Sequence, residues 1–156
     1  MIHHNKFIEE AIDLSAKSIE NGGGPFGAVV VKDGKIIGKA SNGVTLLNDP
    51  TAHAEVLAIR EAAKTIQSFD LSGSVIYTSC EPCPMCLGAI YWAGITDVYY
   101  ANTRYDAAKI GFSDQFIYDE LALPVADRQV KLIELRDTKA GEVFQRWTRK
   151  TDKTPY

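Results

Sequence analysis

The sequence contains few cysteines, no long apolar run and no surplus of positive charge, and each absence excludes a class of protein. No stretch approaches the roughly 18 consecutive apolar residues of a transmembrane helix, so we expect no membrane span. The net charge is −3, whereas proteins that bind nucleic acid through phosphate contacts usually carry a basic surplus. A nucleic-acid partner is therefore disfavoured.

The three cysteines lie in one short segment, at positions 80, 83 and 86. An odd and clustered set does not form a disulfide framework, and in a reducing compartment it more often binds metal or performs redox chemistry. The N-terminal segment, residues 1–6, leads directly into an amphipathic pattern without the features of a signal peptide. We therefore expect a cytoplasmic protein, with His3 and His4 at a frayed and inert terminus.

Length and hydrophobic patterning predict one globular α/β domain over residues 1–156. An apolar fraction of 46% and a charged fraction of 24% are ordinary for such a domain. The pattern predicts helices over 7–19, 52–66, 82–93 and 141–149, strands over 26–31, 36–37, 74–78, 97–101 and 129–135, and helical turns within 102–124. Strands that alternate with helices, together with a hairpin at Asp33-Gly34, predict a mixed sheet.

Two short motifs, each at the start of a predicted helix, carry the chemistry. They are His53-Ala54-Glu55 and Pro82-Cys83-Pro84-Met85-Cys86, and this pairing is a known signature of zinc nucleobase deaminases. Cysteines three positions apart project from one helix face, and a helix start favours their thiolate form. With His53, they leave a fourth tetrahedral position for water, which is the layout of a catalytic zinc site.

Glu55 is the candidate proton carrier because it lies beside a ligand without being one. Zinc can lower the pKa of a bound water to about 7. A carboxylate two residues beyond His53 can take the proton of that water and return it to a ring nitrogen and then to the departing amine. Cys80 lies on the strand side of Pro82, and we expect it to be an ordinary buried thiol.

Two alternatives to a catalytic zinc remain. A Cys-x-x-Cys pair is also common as a redox pair, but a redox pair requires neither His53 nor Glu55. A zinc-stabilised binding domain would normally supply a fourth protein ligand. Such a domain would also gain nothing from a buried carboxylate, whose burial is costly.

The chain resembles the cytidine-deaminase-like superfamily and, within it, the guanine deaminases of the short bacterial type. The resemblance covers nearly the whole length. It is carried by Gly24-Pro25-Phe26-Gly27-Ala28, by residues 48–55 and 78–93 around the two motifs, and by Asp106-Ala107-Ala108, residues 111–114 and 116–118, and the end at Tyr156.

This resemblance implies a three-layer α/β/α fold with a five-stranded mixed sheet, and the hydrolysis of guanine to xanthine and ammonia. It implies zinc on His53, Cys83 and Cys86, with Glu55 and Asp114 as the catalytic carboxylates. It also implies a homodimer with an exchanged C-terminal segment. The residues that it places around the nucleobase are Phe26, Asn42, the Ala54 backbone, Trp92 and, from the partner chain, Tyr156.

Other substrates of the same reaction class remain open, namely guanosine, cytosine and the adenosine of a tRNA loop. A tRNA substrate would require a basic C-terminal helix, and Arg146, Arg149 and Lys150 lie in that region. The total charge is nevertheless negative, and acidic residues precede the helix.

Several of the site residues also have ordinary structural explanations. Asp114 can be a solvated carboxylate, Asn42 a turn residue, and the aromatic residues Phe26 and Trp92 part of the core.

Overall fold

A computed structural model of the chain describes residues 4–156. It contains two compact units, one ending at Tyr118 and the other covering Asp119–Tyr156. The helices are α1 (His4–Glu20), α2 (Val44–Leu47), α3 (Ala54–Ile66), α4 (Pro84–Trp92), α5 (Arg104–Lys109), α6 (Gln115–Ala122) and α7 (Ala140–Arg149). The strands are β1 (Gly27–Lys32), β2 (Lys35–Ser41), β3 (Val75–Cys80) and β4 (Asp97–Asn102). That residues 1–156 act as a single domain stays a prediction.

The first two strands form the predicted hairpin. Asp33 and Gly34 have φ values of 50° and 73°, the left-handed conformations that a tight two-residue turn between antiparallel strands requires. Lys32 pairs with Lys35 directly across the turn. The Asp-Gly pair therefore sets the register next to the turn, and the register shifts between Val30 and Val31.

The sheet is mixed and has the strand order β2-β1-β3-β4. β1 runs antiparallel to both β2 and β3, whereas β3 and β4 are parallel. Parallel neighbours require a crossover, and α4 provides it. The predicted α/β fold with a mixed sheet is confirmed.

Alternate residues of β1 are buried on opposite faces of the sheet, which produces three layers. Val29 and Val31 belong to a core cluster with Phe7 of α1. Val30 belongs to a second cluster with Ala58 of α3, and this cluster also includes residues of α4. Helices therefore cover both faces, as a strand with a nearly continuous apolar run requires.

The prediction of a fifth strand over 129–135 is wrong: within residues 4–156 the sheet has four strands. The segment is irregular, and its apolar side chains are largely exposed, with Ile133 at 80% and Leu135 at 79%. A strand forms only with a hydrogen-bonding neighbour, and this segment pairs with none of the described strands. Its apolar pattern predicted a strand, but the pattern could not reveal the missing neighbour.

His4 is an anchoring residue rather than a frayed one. It lies in α1, its Nδ1 atom is 2.9 Å from the Tyr77 hydroxyl, and its ring is 4.3 Å from that of Tyr99. These contacts hold the start of α1 against β3 and β4. The expectation for His3 lies outside the described residues.

Among the helices of residues 4–156, none combines the length and the apolar character needed to cross a bilayer.

Candidate active site

Two helix starts place the metal-ligand candidates. His53 is the N-cap of α3 and Cys83 is the N-cap of α4, both with extended backbone. Among the described contacts, neither side chain caps its own helix, so each is available to a partner elsewhere. Pro84 occupies the start of α4, where its missing N–H costs nothing, and Cys86 follows within the first turn.

The three side chains converge on one point. The Nδ1 atom of His53 is 3.5 Å from the Cys83 sulfur and 3.4 Å from the Cys86 sulfur. All three ligand atoms lie within 4.8 Å of one another, and the two nitrogen–sulfur distances fit one tetrahedral ion with bonds of about 2.0–2.3 Å. Two sulfurs and an imidazole nitrogen suit zinc and are poor ligands for magnesium or calcium. The three predicted ligand residues are therefore close enough to hold one metal ion, and Nδ1 is the imidazole nitrogen that faces both sulfurs.

The electrostatics of the cluster prepare it for a cation. Hydrogen bonds from Cys86 and His53 lower the pKa of Cys83 to about 4, so this residue is a thiolate at neutral pH. The hydrogen bond to Cys83 in turn raises the pKa of His53 and, together with burial, that of Cys86. Binding of a cation there would release the proton of the Cys86 thiol.

Glu55 lies next to the ligands and is buried. Its side chain accepts a hydrogen bond from the Cys86 sulfur at 3.4 Å, and the residue is 7% exposed. Burial raises the pKa of its carboxyl above the ordinary value. Among residues 4–156, the convergent ligand set contains His53, Cys83 and Cys86 without Glu55. A carboxylate in this position can exchange protons with a group at the metal without binding the metal itself.

Cys80 differs from the other two cysteines. Its sulfur donates to the Thr103 carbonyl at 3.5 Å, and burial raises the pKa of the thiol to about 11. It therefore stays protonated near neutral pH. The expectation of an ordinary buried thiol is confirmed.

A cavity of about 620 Å³ opens onto the metal-ligand cluster. It brings together residues from both sequence motifs and from three more distant segments. Its lining includes Gly22, Gly23, Gly24, Phe26, Asn42, Val44, Thr45, Pro50, His53, Glu55, Cys80, Glu81, Cys83, Met85, Arg104, Ala107, Phe112, Ser113, Asp114 and Ile117.

Asn42 presents an amide to this cavity in a defined orientation. The residue is 8% exposed, and its Oδ1 accepts the backbone N–H of Val44 at 3.1 Å. Its own backbone N–H donates to the Phe26 carbonyl at 3.0 Å. The bond to Val44 fixes the orientation of the amide, and its Nδ2 group can donate to a ligand.

Aromatic rings supply a flat apolar wall. Phe26 meets Phe112 edge-on, with ring centroids 5.0 Å apart. The sequence predicted a site role for Phe26 but none for Phe112 or Arg104. Phe112 lies two residues before Asp114, and that proximity is the signal that could have identified it.

Asp114 lines the same cavity from the segment that precedes α6. Burial raises the pKa of its carboxyl. Its backbone carbonyl accepts the N–H groups of Ile117 at 3.0 Å and Tyr118 at 3.4 Å, so Asp114 occupies the entry to the helix. Glu55 and Asp114 therefore face the same cavity, which Glu81 also lines.

Three predicted substrate contacts are not among the residues that line this cavity. Ala54 is buried between His53 and Glu55. Trp92, at the end of α4, is 76% exposed, and Tyr156 belongs to the second unit and is 86% exposed. Their roles in substrate binding stay predictions.

Comparison with known proteins gives a consistent result. The family model of the cytidine and deoxycytidylate deaminase zinc-binding region matches residues 1–102, which include both motifs. The chain is 47% identical to the guanine deaminase of Bacillus subtilis strain 168, over 99% of this chain and 100% of that protein. It is 39% identical to the tRNA-specific adenosine deaminase of Haemophilus influenzae, over 73% of this chain and 66% of that protein.

A solved structure also matches nearly the whole chain. The X-ray structure of guanine deaminase from Bacillus subtilis superimposes with a TM-score of 0.95 at 48% identity, and the match covers 99% of each chain. The sequence match and the structural match thus both include the ligand-bearing helices and the cavity. The chain belongs to the cytidine and deoxycytidylate deaminase family of zinc-binding proteins.

Proposed function

We propose that this protein hydrolyses guanine to xanthine and ammonia in a zinc-dependent reaction. The observation that carries the proposal is the buried Glu55 carboxylate, which contacts the Cys86 ligand at 3.4 Å and lines the cavity. The full-length similarity to a guanine deaminase supports the choice of substrate. The shorter match to a tRNA-specific adenosine deaminase, together with the net charge of −3, makes a tRNA substrate the weaker candidate.

Glu55 moves the protons of the proposed reaction. His53, Cys83 and Cys86 would hold the zinc ion, which would supply a polarised water able to act as a nucleophile at neutral pH. Glu55 takes a proton from the attacking water and delivers it to the adjacent ring nitrogen. A second transfer brings a proton to the exocyclic amine as its carbon–nitrogen bond breaks, so that one water and one guanine give xanthine and ammonia. The raised pKa allows Glu55 to hold a proton between the two transfers.

Asn42 selects for the carbonyl edge of the purine. With Oδ1 held by Val44, its Nδ2 donates a hydrogen bond to the guanine oxygen. Adenine carries an amine at that position, and a donor facing a donor leaves both groups unpaired at a cost of about 1–3 kcal/mol. The Phe26 and Phe112 rings pack against the flat purine ring, and the Ala54 backbone forms part of the wall of the substrate site.

Asp114 is the second carboxylate of the proposed site. It faces the same cavity as Glu55 and accepts a hydrogen bond from the exocyclic amine. This contact aligns the amine with the proton that Glu55 delivers and helps it to leave as ammonia.

We also propose that the protein is a homodimer with an exchanged C-terminal segment. None of residues 119–156 is buried, yet the unit contains a group of large apolar side chains that are 45–80% exposed. These are Val130, Leu132, Ile133, Leu135, Val143, Phe144 and Trp147. Full burial of a side chain of this size stabilises by about 1.5–3 kcal/mol, and a second copy of the chain can provide that burial.

The edge strand β4 is the proposed acceptor of the exchanged segment. It pairs with β3 on one side only and is exposed along most of its length. An unpaired edge offers hydrogen bonds to an incoming strand, and residues 129–135 have a strand-like sequence without a partner. In this arrangement the partner's Tyr156 closes the cavity, and the exposed Trp92 becomes an interface residue.

We also propose that residues 1–156 act as a single zinc-dependent deaminase domain. We propose the cytoplasm as its location, because reducing conditions keep Cys83 and Cys86 available to the metal.

A panel of substrates tests the proposed reaction. We expect ammonia release from free guanine, and much slower release from guanosine, adenine, cytosine and cytidine, because only guanine matches both Asn42 and the size of the site. A tRNA anticodon loop should give no release. Dominant turnover of cytidine or tRNA would contradict the substrate assignment while leaving the metal site intact.

The metal assignment is tested by removing one thiolate at a time. We expect Cys83→Ala to retain less than about a tenth of an equivalent of zinc, since a site with three protein ligands cannot lose one without losing most of its affinity. Cys80→Ala is the matched control and should retain about one equivalent. Elemental analysis of dialysed protein measures both. Full zinc content in Cys83→Ala would contradict the ligand set.

The role of Glu55 is tested by Glu55→Gln. We expect kcat for guanine to fall by about 10²–10⁴-fold, because the amide cannot accept the proton, while the zinc content stays unchanged. Glu61→Gln is the control on the same helix. Its carboxylate accepts the Lys39 N–H at 2.8 Å on the surface, and its loss should leave kcat within about twofold of the original. Unchanged turnover in Glu55→Gln would exclude Glu55 as the proton carrier.

The dimer is tested with a charge on the apolar face of α7. We expect Phe144→Glu to weaken association by at least about 30-fold, as for loss of an aromatic interface anchor. Gln145→Glu adds the same charge to the neighbouring residue and should have little effect. Sedimentation velocity over a concentration series measures both. A monomeric unmodified protein, or equal weakening by the two substitutions, would contradict the proposed interface.

A further inference from the structure

The position of Asp114 depends on a helix that has little packing of its own. Asp114 directly precedes α6, and its carbonyl accepts the N–H of Tyr118 one turn later, at 3.4 Å. All residues of α6 are described, and none is buried; Phe116 is 56% and Leu121 55% exposed. Core packing therefore does little to determine where this helix, and the carboxylate at its start, lies.

Tyr118 attaches α6 to the metal-binding segment. Its hydroxyl donates to the Pro82 carbonyl at 2.9 Å, and Pro82 directly precedes the ligand Cys83. Burial raises the pKa of this hydroxyl, so it stays a donor across the neutral range. The bond joins two segments that are distant in sequence: α6, which follows Asp114, and the segment that carries the ligand Cys83.

Arg104 holds the Tyr118 ring in place. Its guanidinium carbon is 4.7 Å from the centroid of that ring, a distance typical of a cation–π contact. The Arg104 backbone N–H donates to the Glu81 carboxylate at 3.0 Å, which links the start of α5 to the same segment. The Tyr118 side chain is thus held at its ring and at its hydroxyl.

We propose that Tyr118 is a positioning residue for Asp114. Its hydroxyl fixes α6 against the Pro82-Cys83 segment, so that the Asp114 carboxylate is held at a constant distance from the metal and from the leaving amine. The proposal rests on the function proposed above, in which Asp114 assists departure of the amine. Tyr118 itself does not line the cavity and acts through the helix.

A double-mutant cycle with Tyr118→Phe and Asp114→Asn tests this proposal. The phenylalanine keeps the ring over Arg104 and removes only the bond to Pro82. We expect kcat for guanine to fall by about tenfold in Tyr118→Phe, with KM within about twofold, because a misplaced group loses catalytic efficiency more than it loses binding. In the Asp114→Asn background, the same substitution should change kcat by less than about twofold, because the group that it positions is absent.

Tyr105→Phe is the matched control. It removes a hydroxyl that accepts from the Arg104 guanidinium at 3.4 Å, and it should leave kcat unchanged. Zinc content and thermal unfolding are measured for every variant, and unchanged zinc in Tyr118→Phe separates positioning from loss of the metal site.

Three outcomes are distinguishable. The positioning role is overturned if kcat in Tyr118→Phe equals that of the original protein. It is also overturned if Tyr118→Phe lowers kcat by the same factor in the original and Asp114→Asn backgrounds. An unchanged kcat in Asp114→Asn overturns the proposed function of Asp114 and, with it, this inference. Absence of guanine turnover in the unmodified protein overturns the proposed reaction.

Discussion

The site depends on the meeting of two helix starts, those of α3 and α4. His53 and Cys83 are both N-cap residues with extended backbone, so their side chains leave the helix axis and can meet. The positive ends of the two helices also favour the thiolates and the carboxylate that collect there. A metal bound at this junction would join α3 to α4, so it would support the fold as well as the chemistry.

The cost of the site is a cluster of buried ionisable groups. Glu55 is 7% exposed beside two thiols and an imidazole, and a buried carboxylate without compensation is destabilising by several kcal/mol. The same burial raises its pKa and makes it suitable for holding a proton. Stability and function therefore place opposite demands on this residue. The small apolar residues Ala54 and Ala58 of α3 pack in the core cluster with residues of the sheet, and this burial offsets part of the cost.

In the proposed dimer, the second unit, residues 119–156, forms half of an interface. Its large apolar residues lie in the irregular segment 129–135 and in α7, and they are exposed. A chain that exposes so many large apolar groups gains stability by covering them. The proposed exchange would cover them and would bring a residue of one chain to the cavity of the other, so assembly and substrate binding would depend on each other.

The amino-acid sequence alone determined the local elements and the metal chemistry, because both depend on short spacings. Cys83 and Cys86 lie one helical turn apart, and Asp33-Gly34 encodes its own turn. Only the tertiary structure decided which nitrogen of His53 faces the thiols, that Asn42 is held by Val44, and that Phe112 and Asp114 reach the same cavity as Glu55. It also decided that residues 129–135 have no partner strand within the described chain. These features depend on long-range contacts between segments, and the periodicity of one segment carries no information about its neighbours in space.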